Sequence, residues 1–417
     1  MTKTMDSPQV HHAADFARGL LTNVLDDLLS QVDGSSKTDR IKESLGSIRE
    51  IYQKRLSCAS SQYRTDWNDP ANRCAYVFLY LLQHCHLVCT SLQINSEEIL
   101  TAWRRKSNLK VCCIGGGPGS DLVGLTTFLR ENNIFPSKLE CLVLDLYPSW
   151  EDAWMSISEY IPCPDRVGVA YRPCNVVNDT LVLNDVREFI KQADMLTFVK
   201  SFSAVSAFFR KDSRRGNLLR SFLRDIKPGC FVLFIDNEHV SDGHFQQEFA
   251  SRVGLELVFE RRGAQTVPRG TYSQTIKKYC RLLECQPMRT CDVIIQLFRK
   301  KVPVEVLRST IPERPSSSTA QRAKAPQHPS HQHRSQEVEA VRSTIHNRPS
   351  SSTARRSQTP PRPSHQYRSQ DYSYNYREPG IPRSTSHDNE GLSWTEAGII
   401  LGVGVGALLL ISLWRNR

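Results

Sequence analysis

The chain has 417 residues, a formal net charge of +11 and 13 cysteines. It begins Met-Thr-Lys-Thr-Met-Asp without an apolar signal region, and its cysteines all lie between Cys58 and Cys291, several of them inside apolar stretches. These features argue against a secreted scaffold held together by disulfides. We expect a cytosolic protein whose thiols mostly pack in the core.

Residues 1–104 are predicted to form a helical region. Apolar side chains recur at helical spacing in two stretches, and residues 73–82 are apolar nearly all round, as in a buried helix. The regularly spaced residues are Phe16, Leu20, Leu21, Val24, Leu25, Leu28 and Leu29 in the first stretch, and Ile41, Leu45, Ile48, Tyr52 and Leu56 in the second.

One cluster in this region has the residue types of a metal site, namely His84, Cys85, His86 and Cys89. It lies in an apolar helical pattern and lacks the matching second half that structural zinc sites have. We therefore predict that these residues pack in the core and that the chain has no metal site.

Residues 111–119 read Val-Cys-Cys-Ile-Gly-Gly-Gly-Pro-Gly and precede a helix-compatible stretch over 121–130. This pattern predicts a strand, a tight turn and a helix. Glycine suits such a turn because its backbone adopts positive φ readily, and because a ligand can approach closely where no Cβ is present. The turn is a candidate cofactor site.

The spacing of the glycines argues against two common cofactor classes. A dinucleotide fingerprint, G-x-G-x-x-G, would place its third glycine at Ser120 or Leu122. The Gly-Lys-Ser/Thr of a phosphate-binding Walker loop does not follow Gly119. The same spacing weakens the hypothesis of an oxidoreductase on a similar fold. The remaining pattern is G-x-G-x-G, at Gly115, Gly117 and Gly119.

Buried-strand patterns follow the turn and alternate with helical patterns. This alternation predicts an α/β fold with a mostly parallel sheet and helices on both faces. After 111–114, the predicted strands cover residues 139–145, 167–171, 194–199, 231–236, 255–260 and 292–298. A predicted helix over 218–226 leads through Lys-Pro-Gly into the strand that begins at residue 231.

With these flanks, residues 105–301 resemble the class I S-adenosylmethionine-dependent methyltransferases. The resemblance implies a seven-stranded, mostly parallel, doubly wound sheet, with S-adenosylmethionine bound at the turn of Gly115, Gly117 and Gly119. It also implies that Asp145, at the end of the second strand, accepts hydrogen bonds from both ribose hydroxyls, and that Asn175 contacts the adenine amino group. In this family N-terminal helices often cover the substrate side, so residues 1–104 are expected to form a lid or a plain helical cap.

Two positions depart from the family pattern. Cys113 lies two places before the first glycine, where an acidic residue is common, and Asn175 replaces a common Asp. An amide oxygen still accepts a hydrogen bond, so cofactor binding remains the expectation. These departures keep a second hypothesis open, that of a methyltransferase-like scaffold that has lost catalysis and binds other proteins.

The sequence leaves the catalytic residues and the methyl acceptor open. Methyl transfer depends mainly on positioning, and a general base is needed only for some acceptors. The sequence contains no Asn-Pro-Pro-Tyr or Asp-Pro-Pro-Tyr segment, which would mark methylation of an amino group. The Pro-Cys pairs at 162–163 and 173–174 are similar to the nucleophile of cytosine-C5 methylation, but they lie away from the ends of the fourth and fifth strands, where that chemistry takes place. The acceptor is a small molecule, a protein or RNA. The polar candidates at the mouth of the site are Tyr76, Lys200, Ser201, Asp236, Glu238 and His239.

Residues 302–390 have the composition of a disordered linker. They contain 11 of the 22 prolines and no cysteine, with 13 Lys and Arg against 8 Asp and Glu. Such a stretch cannot build a core. It also contains a 34-residue duplication, in which Arg-Ser-Thr-Ile at 308–311 recurs at 342–345 and residues 314–320 recur at 348–354. The duplicated units lack an apolar face, so we predict a solvated spacer.

Residues 397–414 are uncharged and, at 1.5 Å per residue, would form a helix about 27 Å long, close to the thickness of a hydrocarbon core. Trp394 and Trp414 flank this predicted transmembrane helix. We expect a tail anchor in the mitochondrial outer membrane or the endoplasmic reticulum, with the enzyme facing the cytosol. Gly398, Gly402 and Gly406 form two overlapping G-x-x-x-G steps, a candidate contact for a partner helix.

Overall fold

The computed structural model describes residues 8–52, 65–238, 244–269 and 273–301. In this part of the chain seven strands form one mixed sheet. The strands are β1 (Asn108–Ile114), β2 (Lys138–Asp145), β3 (Val167–Pro173), β4 (Met195–Val199), β5 (Phe231–Asn237), β6 (Leu255–Thr266) and β7 (Thr290–Lys300). Each of the seven predicted strands is present, which confirms the α/β reading of the sequence.

Helices flank the sheet. Those in the described residues are α1 (Pro8–Gln31), α2 (Lys37–Glu50), α3 (Pro70–Ile94), α4 (Ser96–Trp103), α5 (Ser120–Glu131), α6 (Trp150–Ser158), α7 (Asn184–Gln192), α8 (Phe202–Lys211), α9 (Asn217–Asp225) and α10 (Ser273–Leu282). Short 3₁₀ turns cover Pro164–Arg166, Ser213–Gly216 and Ser251–Val253, and Gln246–Ala250 is a single π turn.

The strand order is β3-β2-β1-β4-β5-β7-β6. The first five strands of this order pair in parallel, and β7 runs antiparallel to both β5 and β6. This seven-stranded mixed sheet with flanking helices fits the methyltransferase-like fold that the sequence resembles. Because the parallel strands all end at one edge, the segments that follow β1, β2, β3 and β4 meet there.

Both faces of the sheet are buried, as the continuous apolar strands require. Along β1, Val111 and Cys113 belong to one hydrophobic core and Cys112 and Ile114 to the other. This alternation follows from the pleat, because successive side chains point to opposite faces. Helices must therefore cover both sides of the sheet.

The N-terminal helices share a core with one face of the sheet. Helix α3 packs against α1, α2 and α5, and most of its side chains are buried. Asp69 caps it by accepting a hydrogen bond from the Ala71 amide at 2.8 Å, and Pro70 occupies the first turn, where its missing N–H costs nothing. The described part of residues 1–104 thus contributes to the core of the domain that it precedes.

Helix α3 is also the one helix in the described ranges long and apolar enough to cross a membrane. Within the protein, 78% of its most apolar window is buried, which makes it a core helix. His84 and His86 are 4% and 6% exposed, with Cys85 and Cys89 buried beside them. No group of three or more His, Cys, Asp or Glu in the described residues is arranged to hold a metal ion.

The predicted linker at 302–390 and the predicted transmembrane helix at 397–414 lie outside the described residues. So do the glycines Gly398, Gly402 and Gly406. These features stay predictions from the sequence.

Candidate cofactor site

The glycine turn connects β1 to α5. Gly115, Gly117 and Gly119 have φ values of +64°, +48° and +80°, a region that side chains other than glycine rarely adopt. The Gly115 amide donates to the Leu144 carbonyl at 2.7 Å, which holds the start of the turn against the end of β2. These φ values account for the presence of glycine at the three positions.

The three glycines serve different purposes in the fold. A Cβ on Gly115 would lie 2.6 Å from the Ser201 Cβ, and one on Gly119 would lie 2.6 Å from the Trp154 ring. A Cβ on Gly117 would meet only the Trp150 ring, at 3.7 Å. Gly115 and Gly117 line a pocket, whereas Gly119 is buried behind the turn at the start of α5. Gly117 therefore presents its backbone to a ligand, and Gly119 permits close packing.

Asp145, the last residue of β2, faces this turn. Its Oδ2 accepts a hydrogen bond from the Gly117 amide at 3.1 Å, and its Oδ1 accepts one from the Tyr147 amide at 3.0 Å. Burial raises the pKa of Asp145 to about 6, opposed by hydrogen bonds from the amides of Tyr147, Gly117 and Leu146. Because a carboxylate has about four acceptor sites, Asp145 retains acceptor capacity for a further donor from the pocket.

A pocket of about 260 Å³ lies over the carboxyl ends of the parallel strands. Asp145 contributes to its wall together with residues that follow β1, β3 and β4. Its other lining residues include Tyr52, Thr65, Trp67, Tyr76, Tyr147, Trp150, Cys174, Asn175, Asn178, Phe198, Lys200, Ser201 and Phe208. The sequence predicted this location, because ligands of such sheets bind outside the carboxyl ends of the strands.

Asn175 lies in the pocket wall, but its side-chain oxygen is occupied. Oδ1 accepts hydrogen bonds from the backbone amides of Val177 at 3.2 Å and Asn178 at 3.1 Å. These two donors fix the orientation of the amide group, since backbone N–H groups pair with the oxygen. The side-chain carbonyl of Asn175 therefore forms hydrogen bonds within its own loop. The amide nitrogen is the part of this side chain available to a purine ring.

Lys200 and Ser201 also line the pocket, at the end of β4. The Ser201 hydroxyl donates to the Ile114 carbonyl at 2.8 Å. Lys200 has φ +57°, and its Nζ donates to Asn237 Oδ1 at 2.7 Å. Desolvation lowers the pKa of Lys200, although the negative charges of Asp236 and Asp292 act in the opposite direction.

Asp236 is buried beside α8, where its carboxylate has a structural role. Its carboxylate is 0% exposed and accepts hydrogen bonds from the Ser203 amide at 2.6 Å, the Ser203 hydroxyl and the Asn237 amide at 2.7 Å. Burial raises its pKa. It secures the first turn of α8 and does not border the pocket. Of the other candidates, Glu238 is half-buried just after β5, and His239 lies outside the described residues.

Tyr76 belongs to a cluster of rings that walls the helical side of the pocket. Its ring lies 5.1 Å from Trp67, 5.4 Å from Trp150 and 5.0 Å from Tyr80, measured between centroids. Burial, with Tyr52 and Tyr80 adding to it, raises the pKa of Tyr76 well above its usual value. Its phenol is therefore a neutral hydrogen-bonding group and a poor base.

The sequence analysis missed Trp67, Trp150 and Tyr147 as site residues. Tyr147 carried a signal, because it lies two positions beyond the predicted carboxylate. No signal in the sequence marked the two tryptophans, because Trp67 and Trp150 reach the pocket only through the packing of α3 and α6. Tyr171 was also missed; its hydroxyl donates to the Gly117 carbonyl at 3.1 Å and so fixes the turn from the side of β3.

The cysteines near the pocket are poorly suited to nucleophilic chemistry. Cys174 lines the pocket, but burial raises its pKa to about 12. Cys112 and Cys113 are completely buried in β1, and burial raises their pKa values strongly. These thiols stay protonated near neutral pH and act as small core side chains.

Comparisons with known proteins find structures of similar fold but no related sequence. No protein-family model matches the sequence, and no curated protein is significantly similar to it. Similar solved structures include a precorrin-6Y C5,15-methyltransferase from Geobacter metallireducens, the cyclase SpnF and an S-adenosylmethionine-dependent methyltransferase from Methanosarcina mazei.

Their sequence identities to this chain are 10%, 11% and 9%. The alignments cover 50%, 50% and 49% of this chain and 89%, 81% and 98% of the other proteins, with TM-scores of 0.29, 0.30 and 0.30. At these identities and TM-scores the likeness carries no argument about function, and one of the three proteins is a cyclase. The functional argument rests on the geometry of the pocket.

Proposed function

We propose that this chain is an S-adenosylmethionine-dependent methyltransferase. The observation that carries the proposal is the position of Asp145, whose carboxylate borders the pocket while the Gly117 and Tyr147 amides hold it in place. A fixed carboxylate with acceptor capacity towards a pocket suits a pair of neighbouring hydroxyls, such as those of a ribose.

The glycine turn supports the same ligand. Because Gly117 has no side chain, the backbone beyond β1 is open to the pocket, next to the carboxylate at the end of β2. A Cβ at this position would occupy that space. Asp145, Gly115 and Gly117 would hold the nucleoside part of the cofactor, and Asn175 would border its base.

The bound cofactor supplies an electrophilic methyl group. The protein then has to exclude water and hold the acceptor about 3 Å from that carbon, which is where most of the rate enhancement of such a displacement arises. The rings of Trp67, Tyr76 and Trp150 supply an apolar wall for this purpose. Lys200 and Ser201 are the polar side chains at the end of the neighbouring strand β4.

Calorimetry with the full-length protein in mild detergent tests the proposal. S-adenosylmethionine and S-adenosylhomocysteine are titrated into the native protein, the Asp145→Ala variant and the Asp185→Ala variant. Asp185 is an exposed carboxylate at the start of α7 and serves as the matched control. Removal of a charged acceptor of two hydrogen bonds predicts a loss of affinity of about 10-fold to 100-fold in Asp145→Ala alone.

Absence of binding by folded native protein would contradict the proposal. That outcome would leave the chain as a methyltransferase-like scaffold, the second hypothesis from the sequence. Equal losses in the two variants would show that Asp145 is not the ribose ligand.

We further propose that residues 397–414 tether the enzyme to the mitochondrial outer membrane or the endoplasmic reticulum, with the catalytic domain in the cytosol. Support comes from the sequence, because this stretch is long and apolar enough to cross a bilayer. Localisation of a fluorescent fusion, with and without residues 397–417, tests the proposal. Loss of membrane association on truncation is expected, and an unchanged distribution would contradict it.

The three glycines of the predicted membrane helix suggest self-association or pairing with another helix. Gly398, Gly402 and Gly406 lie at intervals of four and would share one helix face. Replacing Gly402 by Leu is expected to abolish cross-linking between copies in membranes, with Gly404→Leu as the control on another face. Equal cross-linking in both variants would exclude this contact.

A further inference from the structure

Lys200 occupies an unusual backbone position at the rim of the pocket. It follows the last residue of β4 and has φ +57°. A residue other than glycine is strained in this left-handed conformation. Such strain is concentrated at binding and catalytic sites, where the surrounding structure enforces it.

The ammonium group of Lys200 has no ion-pair partner in the described residues. Its Nζ donates a hydrogen bond to the neutral Asn237 Oδ1 at 2.7 Å. The Asp236 carboxylate is turned to the first turn of α8, where Ser203 and the Asn237 amide satisfy it. Asp292 acts on Lys200 through its charge without forming an ion pair. A partly buried cation without a carboxylate partner is costly, and an anion that entered the pocket would relieve this cost.

The strand order separates Lys200 from the ribose site. Asp145 ends β2, on one side of β1, whereas Lys200 follows β4 on the other side and its side chain reaches Asn237 at the end of β5. Two strand spacings make about 10 Å between the ends of β2 and β4. The Lys200 side chain therefore lies on the side of the glycine turn away from Asp145, and this side is left for the methyl acceptor if Asp145 holds the ribose.

An aromatic wall lines the same pocket as Lys200. Tyr76 and His84 lie 6.1 Å apart between ring centroids, and the charge of Lys200 contributes, after burial, to lowering the pKa of His84 to about 3. Tyr76 and Lys200 both line the pocket. Thr65 also lines the pocket; it is 8% exposed, and its hydroxyl has no hydrogen-bond partner among the residues described. A ligand in this region would meet a cation, flat apolar rings and an unsatisfied hydroxyl.

We propose that the methyl acceptor is an organic anion with a flat apolar body, whose carboxylate or phosphate pairs with Lys200 and whose body packs against Tyr76 and Trp67. This proposal rests on the proposed function and names its substrate class. Lys200 is a specificity-determining residue in this scheme. Cationic molecules of the same shape are repelled by the Lys200 ammonium group, and neutral ones gain no charge pairing with it.

Three probes that share a ring and differ in charge test this proposal: phenylacetate, phenylacetamide and phenethylamine. Each is titrated by ligand-observed NMR into full-length protein saturated with S-adenosylhomocysteine. We expect phenylacetate to bind at least about 10-fold more tightly than the other two, as one charge-assisted pair predicts. Lys200→Met should abolish this preference and Lys200→Arg should retain it. Lys138→Met, at the opposite edge of the sheet, should leave it unchanged.

Equal binding of the three probes, tighter binding of phenethylamine, or a preference that survives Lys200→Met would overturn the acceptor assignment while leaving the cofactor proposal intact. Failure of S-adenosylhomocysteine to bind would refute the proposed function and the acceptor assignment together. If Lys200→Met does not fold, the preference of the native protein and of Lys200→Arg decides the question.

Discussion

The backbone amide of Gly117 donates a hydrogen bond to Asp145 across 3.1 Å, although the two residues are 28 positions apart in the chain. The parallel register of β1 and β2 creates this contact, because Ile114 pairs with Leu144 and the two strands therefore end side by side. The glycine turn and the carboxylate consequently form one rigid unit. A change in the charge of Asp145 should affect both ligand binding and the turn.

Cofactor affinity should depend on pH through Asp145. Burial raises the pKa of Asp145 to about 6, and hydroxyl donors favour the ionised carboxylate. We expect the affinity for S-adenosylhomocysteine to be constant above about pH 7 and to fall by up to about tenfold per unit below pH 6. Calorimetry over this range provides the measurement. In Asp145→Asn the weakened affinity should be independent of pH, and a parallel pH dependence in that variant would assign the titration to another group.

The same shift predicts an opposite trend for the stability of the ligand-free protein. The folded-state pKa of Asp145 is above its ordinary value of 3.8, so the native state binds more protons than the unfolded state between about pH 4 and pH 6. The contribution of Asp145 to the free energy of unfolding therefore falls as pH rises through this window. The free energies of unfolding of the native protein and Asp145→Asn, measured by urea denaturation, should differ least at the acidic end of this range. A difference that shrinks towards neutral pH would contradict the predicted direction of the change.

Gly119 should be sensitive to substitution for two separable reasons. Gly119→Ala places a Cβ at φ +80° and 2.6 Å from the Trp154 ring. Gly229→Ala is the matched control, because Gly229 has φ +81° and open space around the added atom. We expect Gly229→Ala to lower the free energy of unfolding by about 1–2 kcal/mol, from backbone strain alone. Gly119→Ala should lose a further 1–3 kcal/mol, roughly, from overpacking. Equal losses by urea denaturation would show that Trp154 moves aside freely.

Two helical glycines should respond to alanine with opposite signs. Gly124 lies where α5 meets α3, and an added Cβ would be 2.7 Å from the Val88 Cβ and 2.8 Å from the Cys85 carbonyl oxygen. Gly46 is exposed in α2 with nothing within 4 Å of the added atom. Gly46→Ala should raise the free energy of unfolding by about 0.5–1 kcal/mol, since alanine favours the helix. Gly124→Ala should lower it by roughly 1–3 kcal/mol, because backbone atoms cannot give way. Stabilisation by Gly124→Ala would mean that the two helices are not in close contact.

Asp236 should prove to be a structural residue. Asp236→Ala removes the acceptor of the Ser203 and Asn237 amides in a fully buried position, which predicts a loss of about 2–4 kcal/mol in the free energy of unfolding. The folded fraction should bind S-adenosylhomocysteine with native affinity, because Asp236 does not border the pocket. Asp212→Ala, which removes a partly exposed cap from the Arg214 amide, is the control and should cost less. An unchanged stability together with lost methyl transfer would instead identify Asp236 as a catalytic group.

Local pattern was sufficient to predict most elements and insufficient to place their ends. The apolar stretch over 73–82 predicted a buried helix, but α3 covers Pro70–Ile94, because Asp69 and Pro70 start it early. The second helical stretch has apolar spacing as far as Leu56; α2 covers Lys37–Glu50, and Leu56 lies outside the described residues. Caps and breaks depend on a few hydrogen bonds, which apolar periodicity does not report.

The sequence by itself determined the seven strands, the glycine turn and the carboxylate at the end of β2. Each is a property of neighbouring residues: alternating burial, a backbone that needs positive φ, or an acidic residue that ends an apolar run. Tertiary structure alone decided that Asn175 uses its oxygen within its own loop, that Asp236 faces α8, and that Trp67 joins Tyr76 and Trp150 in one wall. Those relationships join segments that are remote in the chain or depend on which way a side chain turns. Strand register and helix packing set them, and no local pattern encodes either.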